Sequence, residues 1–399
     1  MTAPLLAPHA HETIQRLLHR SRTHLGLDVA FVSELTGDAR VIRYVDAEGL
    51  DAPIRVGDWD AREESYCHYV ASGALPELIR DATQHPVAAE MAATAQVPIG
   101  THVSVPIVLA DDTVYGTFCA FATGVKEAVD ESDLSGVRLM ADLVATYIDE
   151  ARVDAREAEQ RRQRLRAVVA SDDLAIVGQP IMSLATCEVV GVEALARFPT
   201  LGREPADVFD EAWQLGMGAE LELAAVDAAI DRLGALADDV YLAVNAAPGV
   251  LGDPAFAQRA AALAPKRLVV EITEHAVVVD DEAFLVASKE LSGHGVGMAI
   301  DDVGTGFSSL TRLLQVVPDI LKIDKSLVAG VEASPARQTL IAGLERFAQR
   351  LGVTTVAEGV ETASQAAVLR WLGIAYGQGF FLSPPREPAE LDLGRVPRR

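Results

Sequence analysis

Only three cysteines, Cys67, Cys119 and Cys187, occur in 399 residues, and no two stand in a CxxC spacing. That scarcity excludes a disulfide framework and leaves no sulfur-based zinc or redox motif, so a reducing cytoplasmic setting is expected. Basic residues are short too: 34 Lys and Arg stand against 58 Asp and Glu, a formal net charge of −24. A nucleic-acid polymer would meet repulsion along most of such a chain and is not an expected partner. A small anion is compatible, because bound cations and a few arginines reverse the field inside one cleft. No apolar run reaches the roughly 18 residues of a membrane span, and no basic stretch leads into an apolar export signal, so neither is expected. What is plentiful is apolar side chain, half of the sequence, enough for two buried cores.

The first core reads as mixed α and β. A helix is expected from His11, strands over residues 29–34 and 40–44, and a hairpin of 102–109 and 114–121 turning at Ala110-Asp111-Asp112. Ser132 is placed to cap a helix in which Leu139, Met140, Leu143, Val144 and Tyr147 recur at helical spacing. Beyond 149 the helix formers persist but become strongly charged, which marks 151–169 as a linker helix. It is either a solvated spacer or a lever that transmits a state or pairs two protomers. The expected domains are 11–150 and 170–399. In the second, short apolar strands alternate with helices, the rhythm of a parallel α/β barrel or a doubly wound sheet.

In this second half, one apolar run after another stops at a residue able to bind metal or move protons. The run 189–192 ends at Glu193, 241–244 at Asn245, 268–270 at Glu271, and 297–300 at Asp301 and Asp302. Residues 320–321 lead into Lys322, and 354–357 into Glu358. Singly, each has a bland reading as a helix cap, a turn residue or a surface charge. Recurring six times in an eight-stranded barrel, they would converge on the mouth formed by C-terminal strand ends. Several buried carboxylates need a cation, and an all-oxygen set suits Mg²⁺ or Mn²⁺. The adjacent Asp301 and Asp302 could bridge two ions; ions about 3.5–4 Å apart clamp the attacking and leaving oxygens of a phosphodiester. Lys322 adds fixed positive charge there.

The segment Val192-Glu193-Ala194-Leu195-Ala196-Arg197-Phe198 resembles the signature of the EAL family of cyclic diguanylate phosphodiesterases. Around it stand Gln179-Pro180-Ile181, Leu242-Ala243-Val244-Asn245, Glu271-Ile272-Thr273-Glu274, Asp301-Asp302-Val303-Gly304-Thr305-Gly306, Leu321-Lys322-Ile323-Asp324, Ala357-Glu358-Gly359-Val360-Glu361 and Gly377-Gln378-Gly379-Phe380. The resemblance implies a TIM-like (β/α)8 barrel that hydrolyses cyclic di-GMP to pGpG with Mg²⁺ or Mn²⁺, two ions, and a homodimer. It implies that Glu193, Asn245, Glu271 and Asp301 hold one metal, with Asp301 and Asp302 serving the second. Lys322 and Glu358 would position or activate the attacking water, with Glu361 and Gln378 completing the shell. Arg197 would grip a phosphate and Gln179 line the dinucleotide groove. Glu274 would prop the loop 303–309. Val303 stands where the family has Phe, and Gly178 where an aromatic precedes Gln-Pro; neither removes a ligand.

The first domain resembles a GAF sensor module through Glu64-Ser65-Tyr66-Cys67, Ser104-Val105-Pro106-Ile107 and Val114-Tyr115-Gly116-Thr117-Phe118-Cys119. Its ligand is not fixed by the fold. Cys67-His68 could attach a chromophore or ligate iron, or be a structural pair, and Cys119 reads as core. For the whole chain, a receptor that holds cyclic di-GMP without cutting it, and another metal-assisted barrel chemistry, stand beside the hydrolase.

Overall fold

A computed structural model describes residues 8–48, 53–97, 99–171, 173–233, 236–237, 239–262, 268–272, 281–303 and 317–391. The chain divides into two compact units, Met1–Gln160 and Arg161–Arg399.

In the first unit, β1 (Val29–Leu35), β2 (Ala39–Ala47), β3 (Trp59–Ala61), β4 (Leu78–Ile79), β5 (His102–Val108) and β6 (Val114–Phe121) form an antiparallel sheet in the order β3-β2-β1-β6-β5-β4. Alternating side chains divide it into two faces. Ala30, Val32, Val103, Val105 and Phe118 pack with Ile14 and Leu18 of helix Pro8–Leu25. Val29, Phe31, Cys119 and Phe121 pack on the other side with Tyr66, Cys67 and Val70 of helix Tyr66–Ala71. The expected hairpin forms, with Asp112 in the left-handed region at its turn.

Three expectations change here. Ser132 does not cap its helix: the Asp130 carboxylate accepts the Ser132 N–H at 2.7 Å and so holds the open end. Not all of the apolar positions at helical spacing are covered: on the continuous 39-residue helix Glu131–Val169, Val144 is buried but Leu139 and Leu143 are 62% and 44% exposed. Among the contacts described, Cys67 and His68 are not partners of one another: the Cys67 sulfur lies 3.7 Å from that of Cys119, whereas His68 Nδ1 accepts from Arg62.

His102 is buried with its ring 4.5 Å from that of Tyr66. Burial, aided by the Arg40 charge, pushes its pKa down to about 3. As pH falls below the ordinary imidazole value near 6.5, the unfolded chain takes up a proton that the folded one refuses. The first unit should therefore be fully stable above about pH 6.5 and lose about 2 kcal/mol by pH 5. Thermal melts across that range, compared with His102→Asn, should show a flatter acid limb for the variant.

The second unit is a closed barrel in the order β10-β11-β12-β13-β14-β7-β8-β9. Its strands are β7 (Ala175–Ser183), β8 (Val189–Arg197), β9 (Tyr241–Asn245), β10 (Leu268–Ile272), β11 (Gly297–Val303), β12 (Ile320–Ile323), β13 (Thr354–Ala357) and β14 (Tyr376–Gly377). The all-parallel expectation fails at β7, which runs antiparallel to both β8 and β14. Glu193 is not at a strand end but at the middle of β8, opposite Gln179. Outward residues such as Val192, Val244, Val270 and Met298 pack under helices Gly218–Leu233 and Asp281–Gly293. Among the described residues, no helix is long and apolar enough to cross a membrane.

Candidate active site

The barrel lumen is plugged by Ile181, Ala243, Val269, Ala299, Ile320 and Val356, with Tyr241 and Tyr376 packed against them. Because strand side chains repeat on one face every second residue, the position two residues beyond each plug residue also faces inward. Those positions hold Asn245 after Ala243, Glu271 after Val269, Asp301 after Ala299, Lys322 after Ile320, Glu358 after Val356 and Gln378 after Tyr376. On the reversed β7 the same level lies two residues before Ile181, at Gln179. Glu193 completes the ring from β8. There the plug position is Gly191, where a Cβ would lie 2.4 Å from the Tyr241 ring, so only glycine leaves the tyrosine its place.

Lys322 is the centre of this layer and is 1% exposed. Its Nζ lies 2.6 Å from Glu271, 2.7 Å from Glu358, 3.4 Å from Glu193 and 3.5 Å from Asp301. Burial alone would strip its proton, but the surrounding carboxylates outweigh that and raise its pKa, so it stays an ammonium. The acids respond unequally. Burial and the neighbouring Glu193 charge drive Glu271 upward despite Lys322. Burial likewise raises Glu358, with Lys322 opposing and Asp301 reinforcing. Glu193 opposes the trend: burial works against its charge, but Lys322 and the amides of Gln378 and Asn245 hold its pKa down. Those amides donate to Glu193 at 2.7 and 3.0 Å.

Asp301, Asp302 and Glu358 can each aim one oxygen so that all three atoms lie within 4.8 Å of one another. Asp302 reaches this group from left-handed backbone, φ 57°, with its N–H donated to Asp301 Oδ1 at 2.9 Å. Burial and the charges of Asp301 and Asp324 raise its pKa to about 6. Five carboxylates thus face one ammonium; with all five ionised the excess is four negative charges, which two divalent cations would cancel and which, without them, protonation of the acids with raised pKa relieves. An oxygen-only donor set of this kind fits a hard metal.

Other expected residues fall around this core. Gln378 also donates to Gln179, which in turn donates to the Ser383 carbonyl. Gln378 is fixed by Gly379, where a Cβ would lie 2.3 Å from the Val360 backbone. Arg197 is half-buried four residues beyond Glu193, donating to the Ala196 carbonyl, away from the carboxylates. Glu361 is exposed, and its N–H donates to Gln365. Val303 is fully buried in a core with Ile300 and Leu321. Glu274 and residues 304–309 lie outside the described residues.

Glu222 was missed by sequence reasoning. It is 6% exposed and accepts 2.7 Å bonds from Trp213 Nε1 and from the Ala247 N–H, two residues past Asn245. A glutamate inside the apolar rhythm of helix Gly218–Leu233 was the available signal. Glu222→Ala should leave two part-buried donors, Trp213 Nε1 and the Ala247 N–H, without their acceptor and cost about 1–2 kcal/mol, while Glu222→Gln should retain most of that stability. Urea unfolding followed by tryptophan fluorescence checks both.

A closed barrel whose mouth sets a ring of carboxylates around one buried lysine defines the class of α/β barrels with an acidic, oxygen-donor site, and the comparisons specify the family. Residues 161–385 match the EAL domain and residues 8–149 the GAF domain; the chain belongs to the EAL family and carries a GAF domain at its N-terminal side. The cyclic di-GMP phosphodiesterase NbdA of Pseudomonas aeruginosa is 33% identical over 253 residues, covering 60% of this chain and 32% of NbdA. Manganese- and cyclic di-GMP-bound BlrP1 of Klebsiella pneumoniae is 33% identical with a TM-score of 0.50, covering 54% of this chain and 56% of BlrP1. The PaMucR phosphodiesterase bound to c-di-GMP is 28% identical with a TM-score of 0.50, covering 57% of this chain and 97% of that one. The chain spans 30–43% of the length of the first curated relatives it matches.

Proposed function

We propose that the barrel is a metal-dependent phosphodiesterase that opens cyclic di-GMP to linear pGpG, and that the GAF domain tunes it. The observation that carries this reading is the excess of carboxylates over the single buried ammonium of Lys322. Glu193, Asn245, Glu271, Asp301 and Asp302 would hold two Mg²⁺ or Mn²⁺ ions, which supply charge neutralisation at the phosphate and a water of lowered pKa. Lys322 keeps a fixed positive charge where charge builds on the phosphoryl oxygens. Glu358, with its raised affinity for protons, is suited to take one from the attacking water. Gln378 and Gln179 hold Glu193 and the adjoining wall in place. Arg197, outside the carboxylate ring, is free of carboxylate contacts in the bonds described and suits a substrate phosphate. The exposed Leu139, Leu143 and Val153 on helix Glu131–Val169 support pairing of two chains along that helix.

The test is chromatography of cyclic di-GMP incubated with the full chain and Mn²⁺ or Mg²⁺. Linear pGpG from the parent and at least about a 100-fold loss in Glu193→Ala are expected. Intact substrate with both proteins would sink the hydrolase, and tight binding in chelator without turnover on metal addition would establish the receptor instead.

A further inference from the structure

Away from the barrel, a second buried cluster brings nucleophilic atoms together. Cys67 on helix Tyr66–Ala71 and Cys119 on β6 are both fully buried, their sulfurs 3.7 Å apart. Cys119 Sγ donates to Thr117 Oγ1 at 3.0 Å and lies 3.1 Å from Ser104 Oγ, and Thr117 Oγ1 lies 2.9 Å from Ser33 Oγ. Arg40 Nη1 points at Cys67 Sγ from 3.7 Å, while the same guanidinium is gripped by Asp60. Cysteines that merely fill volume need neither a cation nor hydroxyls. Here a guanidinium only 15% exposed is held over one sulfur, and hydroxyls surround the other.

We propose that Cys67 and Cys119 are an oxidisable pair whose co-reactant is a small hydroperoxide, Cys67 reacting first and Cys119 resolving the product into a disulfide. The electrostatics agree with the geometry. Burial works against a Cys67 thiolate, but the Cys119 thiol, Arg40 and the hydroxyls of Ser33 and Thr117 outweigh it and lower its pKa. Cys119 is raised by burial and by Cys67, so it keeps its proton. This asymmetry divides attacking from resolving sulfur.

In the first step the Cys67 thiolate attacks one peroxide oxygen. The O–O bond breaks, an S–O bond forms, and the departing hydroxide takes a proton to become water. In the second, Cys119 attacks the Cys67 sulfur of the sulfenic acid; the S–O bond breaks, the S–S bond forms, and the Cys119 proton leaves with the hydroxide as water. Two thiols lose two electrons in total and one peroxide gains them. A peroxide would have to enter past the Arg40–Asp60 pair, 15% and 33% exposed, beside three-residue edge strand β3, where Trp59 is 73% exposed. The product would close a loop between residues 67 and 119 and tie the helix to a central strand, constraining the unfolded chain.

The experiment uses the full chain with exposed Cys187 replaced, Cys187→Ser, treated with graded hydrogen peroxide, alkylated in denaturant and mapped by mass spectrometry. A Cys67–Cys119 linked peptide is expected, with a rise in the first unit's melting midpoint that dithiothreitol reverses. Adding Cys119→Ala should leave Cys67 as a sulfenic acid trapped by dimedone, and Arg40→Gln should slow oxidation roughly tenfold. Should the Cys119 variant not fold, the linked peptide and the Arg40 variant still decide. Recovery of both thiols fully alkylated, under peroxide that oxidises free cysteine completely, overturns the proposal, as does linkage that proceeds equally fast in Arg40→Gln.

Discussion

Lys322→Met should cut turnover of cyclic di-GMP by roughly 10²–10³-fold and make the barrel far more dependent on divalent metal for its stability. Methionine preserves much of the volume, so the effect is electrostatic. In the parent, one ammonium lies within 3.5 Å of four carboxylates. Removing one partner from a buried charge set costs about 3–5 kcal/mol, because the remaining charges lose their compensation. Part of that cost will be avoided by protonation of Glu271 and Glu358, which burial and crowding already favour. Cations binding only the folded state stabilise it by mass action. Added Mn²⁺ should therefore raise the melting midpoint of Lys322→Met more than that of the parent, without restoring turnover. Equal midpoints for parent and variant in chelator would show that the lysine is not neutralising the ring.

The polar ring was legible because each strand is short and apolar, so a lone acid, amide or lysine stands out against it. Asn245, Glu271, Asp301, Lys322 and Glu358 all lie on that one inward level. The same logic misread Glu193, which interrupts an apolar run without ending the strand; β8 continues to Arg197 because β7 pairs along its whole length. Strand direction is not a property of individual residues. The signal was the connection: only residues 184–188 separate β7 from β8, too few for the crossover that parallel neighbours require. Side-chain neighbours distant in sequence were not legible. Cys67 and Cys119 meet only because helix Tyr66–Ala71 packs on β6, and Glu222 finds Ala247 only because helix Gly218–Leu233 covers the barrel. The exposure of Leu139 shows the converse, that helical periodicity names a face without naming what covers it.

Asp302→Asn separates stability from function at one atom. Asp302 has φ 57°, a conformation that asparagine, among side-chain-bearing residues, tolerates well, so the backbone is expected to persist. Its folded pKa is raised to about 6, by burial first and then by Asp301 and Asp324. A group with a raised folded pKa stabilises the protein below its unfolded value, and that contribution is lost as pH rises through the folded value. At pH 7.5 and without metal, the ionised side chain is therefore a repulsive member of the cluster, and the neutral amide should melt no lower than the parent, or slightly higher. With metal the order reverses in function. The substituted amide would offer one weaker oxygen where Asp302, Asp301 and Glu358 now converge within 4.8 Å, so the half-saturating Mn²⁺ concentration should rise at least about tenfold, with turnover down roughly 10²-fold. The two readouts must part company: a variant that loses stability and turnover together would assign Asp302 to the fold, whereas unchanged metal dependence would remove it from the second ion's shell. Such opposition is expected where charge clustering is retained for chemistry at the expense of the apo fold.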